Sequence, residues 1–417
     1  MLGLYARHMQ RRLLKLALTV ALGSAVACSS LLGDFEVRSQ DATDASTTPE
    51  TGPLPDGGPI PEGGPNPDGG PLPTCEAPSV RCGVKCVDLT KNGQSCGRCG
   101  HDCGGGACEA SVCKAVKIAD GPTAIVSIAL DANEVFYTSK VSVLACPKSG
   151  CTASVLPRTV ATMGDETFAI SIATGTVAFQ AALAAPTGPS IGVYACPSAG
   201  CPAVPTLLRE DPNMHLRLEA AGDNLVYSAG GTGMEGFRCT GGACVKNLQT
   251  SRKSKPVFTT NLAHIYYLEN AFPTHIARCP QNTLASCTAV AETIQNDENS
   301  LTTAMDLQAG NLYWAIGTQI NTCAIGAGAS CDGTTKRIAS FTDPVIDLRV
   351  DGSGAYWITQ STAATQVWKI LTTSTPGGAG GVKTLPVLPG SDAHSIRVDD
   401  NFVYWAEKTS IWRIAKL

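Results

Sequence analysis

One short strand pattern recurs seven times between Lys114 and Leu417, and it constrains the fold of this 417-residue chain more than any other feature. Each copy follows a Gly, Asp or Asn turn and joins aliphatic residues to a final aromatic one. The final aromatics are Tyr137, Phe179, Tyr227, Tyr267, Trp314, Trp357 and Trp405. Successive copies lie 40–48 residues apart, which is the length of one four-stranded propeller blade. The chain is therefore predicted to be all-β, with residues 114–417 forming a seven-bladed β-propeller.

The pattern also predicts how the ring is packed and closed. Adjacent aromatics such as Tyr313 and Trp314 point to opposite faces of a strand, and neighbouring blades cover both faces, so we expect packing residues rather than a ligand cage. The last copy ends after its third strand, whereas an unassigned apolar strand at residues 115–119 precedes the first copy. Pairing of this strand with residues 411–416 would complete the last blade and leave no open edge.

The chain contains 19 cysteines, a number that favours an oxidising compartment. Eight of them lie within residues 75–113, a segment too short for an adequate apolar core, so we expect a small module held by four disulfides of undetermined pairing. Zinc or redox chemistry at Cys96, Cys99 and His101 is the alternative. Ten others predict one disulfide in each of the first five blades: Cys146/Cys151, Cys196/Cys201, Cys239/Cys244, Cys279/Cys287 and Cys323/Cys331.

The N-terminal region has the composition of an export signal followed by a tether. Residues 1–27 combine four basic residues with a short apolar run and carry no acid, which is typical of a signal peptide. Residues 28–74 contain a Gly-Pro-rich hexapeptide repeat, and its prolines exclude helix and sheet. We therefore expect residues 28–74 to be a disordered spacer between the signal and the cysteine-rich module.

Three segments resemble known families. The small residues Ala25-Val-Ala27 before Cys28 resemble the lipobox of bacterial lipoproteins, which implies a lipid anchor on Cys28; with Ser29 next, it implies an outer-membrane lipoprotein of the cell envelope. Signal cleavage that leaves Cys28 as a free cysteine is the alternative. The cysteine spacing of residues 75–113 resembles the stigma-specific-type cysteine-rich module. The propeller resembles YWTD-like propellers of bacterial surface lipoproteins, although the Tyr-Trp pair occurs only in the last three copies. This last resemblance implies a fold and no ligand.

Acidic residues recur in the loops that lead into the predicted inner strands. Six of the seven loops carry one, 13 to 17 residues before the blade aromatic. The candidate ligand-binding residues are Asp165, Asp211, Asp297, Asp343 and Asp392, with His215 and His394 as further ligands. Such a ring would attract a divalent cation or a cationic ligand. The alternative is that Asp and Glu are simply favoured in solvated turns.

The sequence carries no catalytic motif and no cofactor motif, so the sole cofactor expectation is a divalent cation at the acidic ring. The formal net charge of −4 without a basic block argues against nucleic acid as the main partner. We predict a membrane-anchored binding module for a protein or carbohydrate ligand. The alternative is a metal-dependent lyase or lactonase that acts at the mouth of the propeller channel, and fold alone does not choose between the two.

Overall fold

A computed structural model of the chain describes residues 74–416, apart from short segments. The segments outside the description are 152–153, 184–189, 203, 212–216, 230–232, 250–253, 270–274, 282–287, 290–301, 326–330, 332–334, 341, 361–367, 374–381 and 385–391. The signal peptide, Cys28 and the tether also lie outside the described residues. Within the described part all regular structure is β-strand, and no helix there is long and apolar enough to cross a membrane.

Residues 75–113 form a module of two small hairpins. Strand β1 (Val80–Cys82) pairs with β2 (Lys85–Val87), and β3 (Cys108–Glu109) pairs with β4 (Val112–Cys113). Four disulfides hold the hairpins: Cys75–Cys86, Cys82–Cys99, Cys96–Cys108 and Cys103–Cys113. The predicted disulfide framework is confirmed. Since Cys96 and Cys99 belong to two different disulfides, the alternative of a zinc or redox site at this pair is wrong for this structure.

Seven four-stranded antiparallel sheets follow the module. Six of them are blades of four consecutive strands. In chain order, after β5 (Val116–Asp120), the strands of these blades are β6 (Ile125–Leu130), β7 (Glu134–Ser139), β8 (Ser142–Pro147), β9 (Arg158–Thr162); β10 (Thr167–Ala173), β11 (Thr176–Leu183), β12 (Ser190–Pro197), β13 (Thr206–Asp211); β14 (Leu218–Ala221), β15 (Asn224–Ala229), β16 (Gly233–Thr240), β17 (Ala243–Gln249); β18 (Ser254–Thr260), β19 (His264–Glu269), β20 (Ile276–Pro280), β21 (Thr288–Ala289); β22 (Thr302–Gln308), β23 (Asn311–Ile316), β24 (Gln319–Ala324), β25 (Lys336–Ser340); and β26 (Val345–Asp351), β27 (Gly354–Gln360), β28 (Trp368–Thr373), β29 (Val382–Thr384).

The remaining sheet is built from both ends of the propeller sequence. Strands β30 (Ser395–Val398), β31 (Phe402–Ala406) and β32 (Ser410–Ala415) are completed by β5, with Ile411 opposite Ala119 and Trp412 opposite Lys117. The predicted pairing of the two ends is therefore confirmed. The innermost strands are neighbours in the order β6, β10, β14, β18, β22, β26 and β30, and β30 contacts β6. The all-β propeller fold is confirmed by this ring of inner strands.

The blade aromatics pack between blades, as the alternation predicts. Tyr313 and Trp314 are both almost fully buried, but Tyr313 packs with Trp357 of the following blade, whereas Trp314 packs with Tyr266 of the preceding one. One strand thus contributes to two cores. Four predicted blade disulfides are present: Cys146–Cys151, Cys196–Cys201, Cys239–Cys244 and Cys323–Cys331. Cys279 is disulfide-bonded, and its predicted partner Cys287 lies outside the described residues.

The cysteine-rich module is fastened to the composite sheet. Its buried cysteines pack against Phe402 and Ala415 of β31 and β32. The guanidinium of Arg413 donates to the carbonyl of Gly104 at 2.5 Å. His101 has Nδ1 2.6 Å from the Cys96 carbonyl and Nε2 2.7 Å from the Lys416 carbonyl. Apolar packing and hydrogen bonds therefore join the module to β31, to β32 and to the residue that follows β32. The module is a fixed extension of the propeller.

Candidate functional site

The register of the inner strands repeats from blade to blade. Directly opposite each blade aromatic lies a buried apolar residue of the inner strand, nine positions earlier in the chain, as with Leu348 opposite Trp357 and Ile396 opposite Trp405. Side chains alternate along a strand, so the residues eight and ten positions before the aromatic share the other face. These two positions carry polar or charged residues in several blades.

A cavity of about 310 Å³ lies against the beginnings of five inner strands, β6, β10, β14, β26 and β30. Most of its polar lining comes from the two repeated positions, and the residues there are Ser127, Ala169, Arg217, Glu219, Asp347, Arg349, Ser395 and Arg397. The beginnings of inner strands are where the chain arrives from the outer strand of the preceding blade. The cavity is therefore at the end of the channel to which the predicted acidic loops belong.

An ion-pair network crosses the channel beside this cavity. Oε1 of Glu219 on β14 accepts from Nε of Arg217 and from Nη2 of Arg349, each at 3.0 Å. Arg349 belongs to β26, which is separated from β14 by two other inner strands in the ring. Although burial opposes ionisation, the arginines, above all Arg349 and Arg217, lower the pKa of Glu219 to about 2. Glu219 is therefore ionised at neutral pH and joins opposite walls of the channel.

Two further carboxylates connect neighbouring inner strands. Asp347 on β26 accepts from the backbone N–H of Ile396 on β30 at 3.0 Å. Asp306 on β22 accepts from the N–H of Val350 on β26 at 2.7 Å. Each carboxylate also accepts from the N–H of the residue that follows it. Since a carboxylate that accepts from two backbone groups is held in one orientation, these bonds fix the channel wall.

Arg397 is the least compensated charge of the cavity. Its only hydrogen bond to the described residues runs from Nη1 to the carbonyl of Ile396, at 2.7 Å. The nearest carboxylate oxygen, Oδ2 of Asp347, is 3.6 Å from Nη1, and the Arg397 side chain is 17 % exposed. Burial, followed by the positive charge of Arg349, lowers the pKa of the Arg397 guanidinium to about 10. The site thus holds a cation that would be stabilised by a further negative charge.

The predicted site residues have different positions relative to this cavity. Asp165 is exposed, and Asp343 and Asp392 are partly buried; all three lie in loops from an outer strand to the next inner strand, as predicted. Asp211 is the last residue of β13, and its side chain is not described. Asp297 and His215 lie outside the described residues. Of the predicted residues within the described part, His394 alone lines the cavity.

His394 and Asp392 already have partners in the protein. The ring nitrogens of His394 lie 2.9 Å from the carbonyl oxygens of Asp392 and Ile125, and Oδ1 of Asp392 accepts from the N–H of Lys408 at 2.7 Å. A metal ligand needs a free lone pair on a ring nitrogen. Coordination by His394 therefore requires loss of one of these contacts. Cation binding by the acidic loops stays a prediction.

The charged residues of the inner strands were missed in the loop-based prediction, although a signal for them exists. Glu219, Arg349 and Arg397 each lie eight residues before the aromatic of their own blade, and Arg217 and Asp347 lie ten before. Alignment of the seven copies on the aromatic places these five, together with Asp306, in two columns whose other members are small, apolar or hydroxyl-bearing residues. An arginine in such a column of an inner strand is a stronger indication of a functional site than an acidic residue in a turn.

The chain is similar to solved structures over about three quarters of its length. Virginiamycin B lyase from Staphylococcus aureus is 13 % identical, with a TM-score of 0.50 over 73 % of this chain and 99 % of that one. The WD40 β-propeller domain of Doa1 is 10 % identical, with a TM-score of 0.47 over 72 % of this chain and 95 % of that one. No protein-family model and no curated protein matches the chain. At 13 % identity the similarity to the lyase bears on architecture alone and leaves activity open.

Proposed function

We propose that this chain is a binding protein of the cell envelope, anchored by a lipid on Cys28 and carried on the tether of residues 28–74. Its seven sheets act as one seven-bladed propeller, and its ligand enters the cavity at the end of the channel where the inner strands begin. The observation that carries this proposal is the polar cavity itself, with walls that are joined across the channel by Glu219 and Arg349.

The fixed walls support a function in which a ligand binds without rearrangement of the cavity. The ligand would meet donors and acceptors that are already oriented by the bonds of Asp347 and Glu219, so little ordering free energy is lost on association. The module extends this rigid body toward the tether, because His101 and Arg413 hold it to the last sheet. A rigid head on a Pro/Gly-rich spacer suits display of a binding surface away from a membrane.

The enzymatic alternative, a metal-dependent lyase or lactonase, requires a divalent cation among the acidic loops. His394 has carbonyl oxygens at both ring nitrogens, so it does not fit as a ligand without a change in the loop. Metal analysis of the purified chain distinguishes the two functions. A stoichiometric bound cation would favour the enzyme.

The binding site is tested by blocking the cavity. Val126 lines it and is 39 % exposed, whereas Leu262 is 71 % exposed in the turn from β18 to β19, at the opposite end of a blade. A panel of sugars, sugar acids, peptides and small metabolites is screened by thermal melting of the full chain. Ligands that raise the melting temperature of the parent should lose their effect in Val126→Trp and keep it in Leu262→Trp. Equal effects in both variants, or no ligand in the panel, would contradict the proposed site.

A further inference from the structure

The charges that line the cavity do not balance. Three arginines, Arg217, Arg349 and Arg397, face two carboxylates, Glu219 and Asp347, so the lining has one positive charge in excess. Asp306 does not line the cavity, and its carboxylate is occupied by the N–H groups of Leu307 and Val350. Burial raises its pKa, whereas the charge of Arg349 opposes that shift.

The donors of Arg397 are arranged for an anion. A guanidinium has five N–H donors in a planar fork, and the described residues accept from Nη1 of Arg397 only. The fork matches the two oxygens of a carboxylate in a bidentate pair. Arg217 and Arg349 are both paired with Glu219, and the side chain of Arg349 is only 9 % exposed. These two arginines therefore contribute positive electrostatic potential to the cavity, whereas Arg397 contributes N–H donors that no described residue accepts from.

The remaining lining favours hydroxyl groups on the ligand. Glu219 and Asp347 carry acceptor oxygens, and Ser127 and Ser395 carry hydroxyls. The cavity of about 310 Å³ is at the small end of the range of ligand pockets, which suits one sugar ring. A phosphate carries more negative charge than the single excess positive charge and would lie near two carboxylates, so a monocarboxylate fits better.

We propose that the cavity binds a hydroxylated monocarboxylate of the sugar-acid class, with its carboxylate on Arg397 and its hydroxyls toward Glu219 and Asp347. This inference rests on the proposed function, and it names the class of ligand that the same cavity takes. The ligand is either a free sugar acid or the uronic acid residue of a polysaccharide, since both present the same chemistry.

The test is calorimetric titration of the full chain at low salt, with D-glucuronate and D-glucose as matched probes. Binding of glucuronate without binding of glucose is expected, because the neutral sugar has no group for the guanidinium. Arg397→Gln should weaken glucuronate binding at least tenfold, and Arg397→Lys should weaken it less, because lysine keeps the charge and loses the fork. The matched control is Arg238→Gln, which should bind like the parent. Arg238 is an exposed arginine of β16 that pairs with Asp223.

A measurement on the unaltered chain covers the case in which Arg397→Gln does not fold. Phenylglyoxal modifies accessible arginines, and peptide mass spectrometry reports the extent at each one. Glucuronate should protect Arg397 and leave Arg238 equally modified. Unchanged modification of Arg397 at saturating glucuronate, equal binding of glucose, or an unweakened Arg397→Gln would each overturn the proposal.

Two outcomes separate this inference from the proposed function and from the source of the ligand. If Val126→Trp abolishes binding of ligands that carry no carboxylate, the cavity is the binding site but the sugar-acid assignment is wrong. An oligogalacturonide that binds more tightly than galacturonate indicates a polysaccharide ligand, and equal binding indicates the free acid; both results support the assignment.

Discussion

Glu219→Gln tests the network that joins the walls of the channel. Gln has the size of Glu but no charge, so the substitution removes the carboxylate that Arg217 and Arg349 share and leaves both arginines partly uncompensated. Removal of one partner from a buried ion pair is strongly destabilising, since the remaining charge stays away from water. We therefore expect Glu219→Gln to fold less stably than the parent at neutral pH.

The expected loss of stability follows from the pKa of Glu219, which falls from 4.5 to about 2 on folding. At about 1.4 kcal/mol per pH unit, the ionised carboxylate contributes about 3 kcal/mol to the free energy of unfolding. Because the pKa is lower in the folded state, this contribution is complete above about pH 4.5 and is lost as the pH falls toward 2. The deficit of the variant should be about 3 kcal/mol at pH 7 and less than half of that at pH 3.

Urea unfolding followed by tryptophan fluorescence at both pH values measures this deficit. Burial raises the pKa of Asp306 in both proteins, whereas the smaller contribution from the charge of Glu219 is lost in the variant. Glu134→Gln is the matched control, because Glu134 pairs with Arg158 at 2.5 Å with 24 % of its side chain exposed; such a pair contributes about 1 kcal/mol or less. A Glu219→Gln variant as stable as the parent at pH 7, or a deficit that does not shrink in acid, would show that the ionised Glu219 carboxylate does not stabilise the fold.

Three further predictions concern the anchor, the thiols and the closure of the ring. Cys28→Ala should move the protein from the membrane to the soluble fraction on cell fractionation, and a variant that stays in the membrane would count against lipidation. Thiol titration of the mature, acylated chain under denaturing conditions should find no free thiol, because we predict nine disulfides; two or more reactive thiols would contradict the assignment. Deletion of residues 115–119 should uncover the edge of β32, which β5 now pairs with, and thereby lower the melting temperature or cause aggregation; a deletion variant that melts like the parent would contradict closure by the two ends.

The sequence was most informative where the structure repeats locally. The blade aromatics, the five-residue spacing of Cys146 and Cys151, and the extra strand at 115–119 are all visible as periodic patterns, because each blade is one short unit of sequence. The pairing of the two ends was predictable for the same reason. The last copy lacked its outer strand, and the strand at residues 115–119 belonged to no copy. Packing of Tyr313 and Trp314 into two different cores followed from strand alternation.

The charge network was not predicted, because it depends on positions far apart in sequence. Glu219 and Arg349 are 130 residues apart, and only closure of the ring brings β14 and β26 to opposite sides of one channel. The loop acids drew attention because loops carry function on many scaffolds. Whether Arg397 has a carboxylate partner depends on a separation of 3.6 Å from Asp347, and no sequence pattern reports such a distance.

Attraction of an anion to Arg397 in the channel cavity can be tested directly. Bromide is a small anion with an anomalous X-ray signal, so crystals of the full chain soaked in bromide locate anion sites directly. We expect an anomalous peak inside the cavity, within hydrogen-bond distance of the Arg397 guanidinium. Peaks confined to the outer surface, with none beside Arg397, would contradict it.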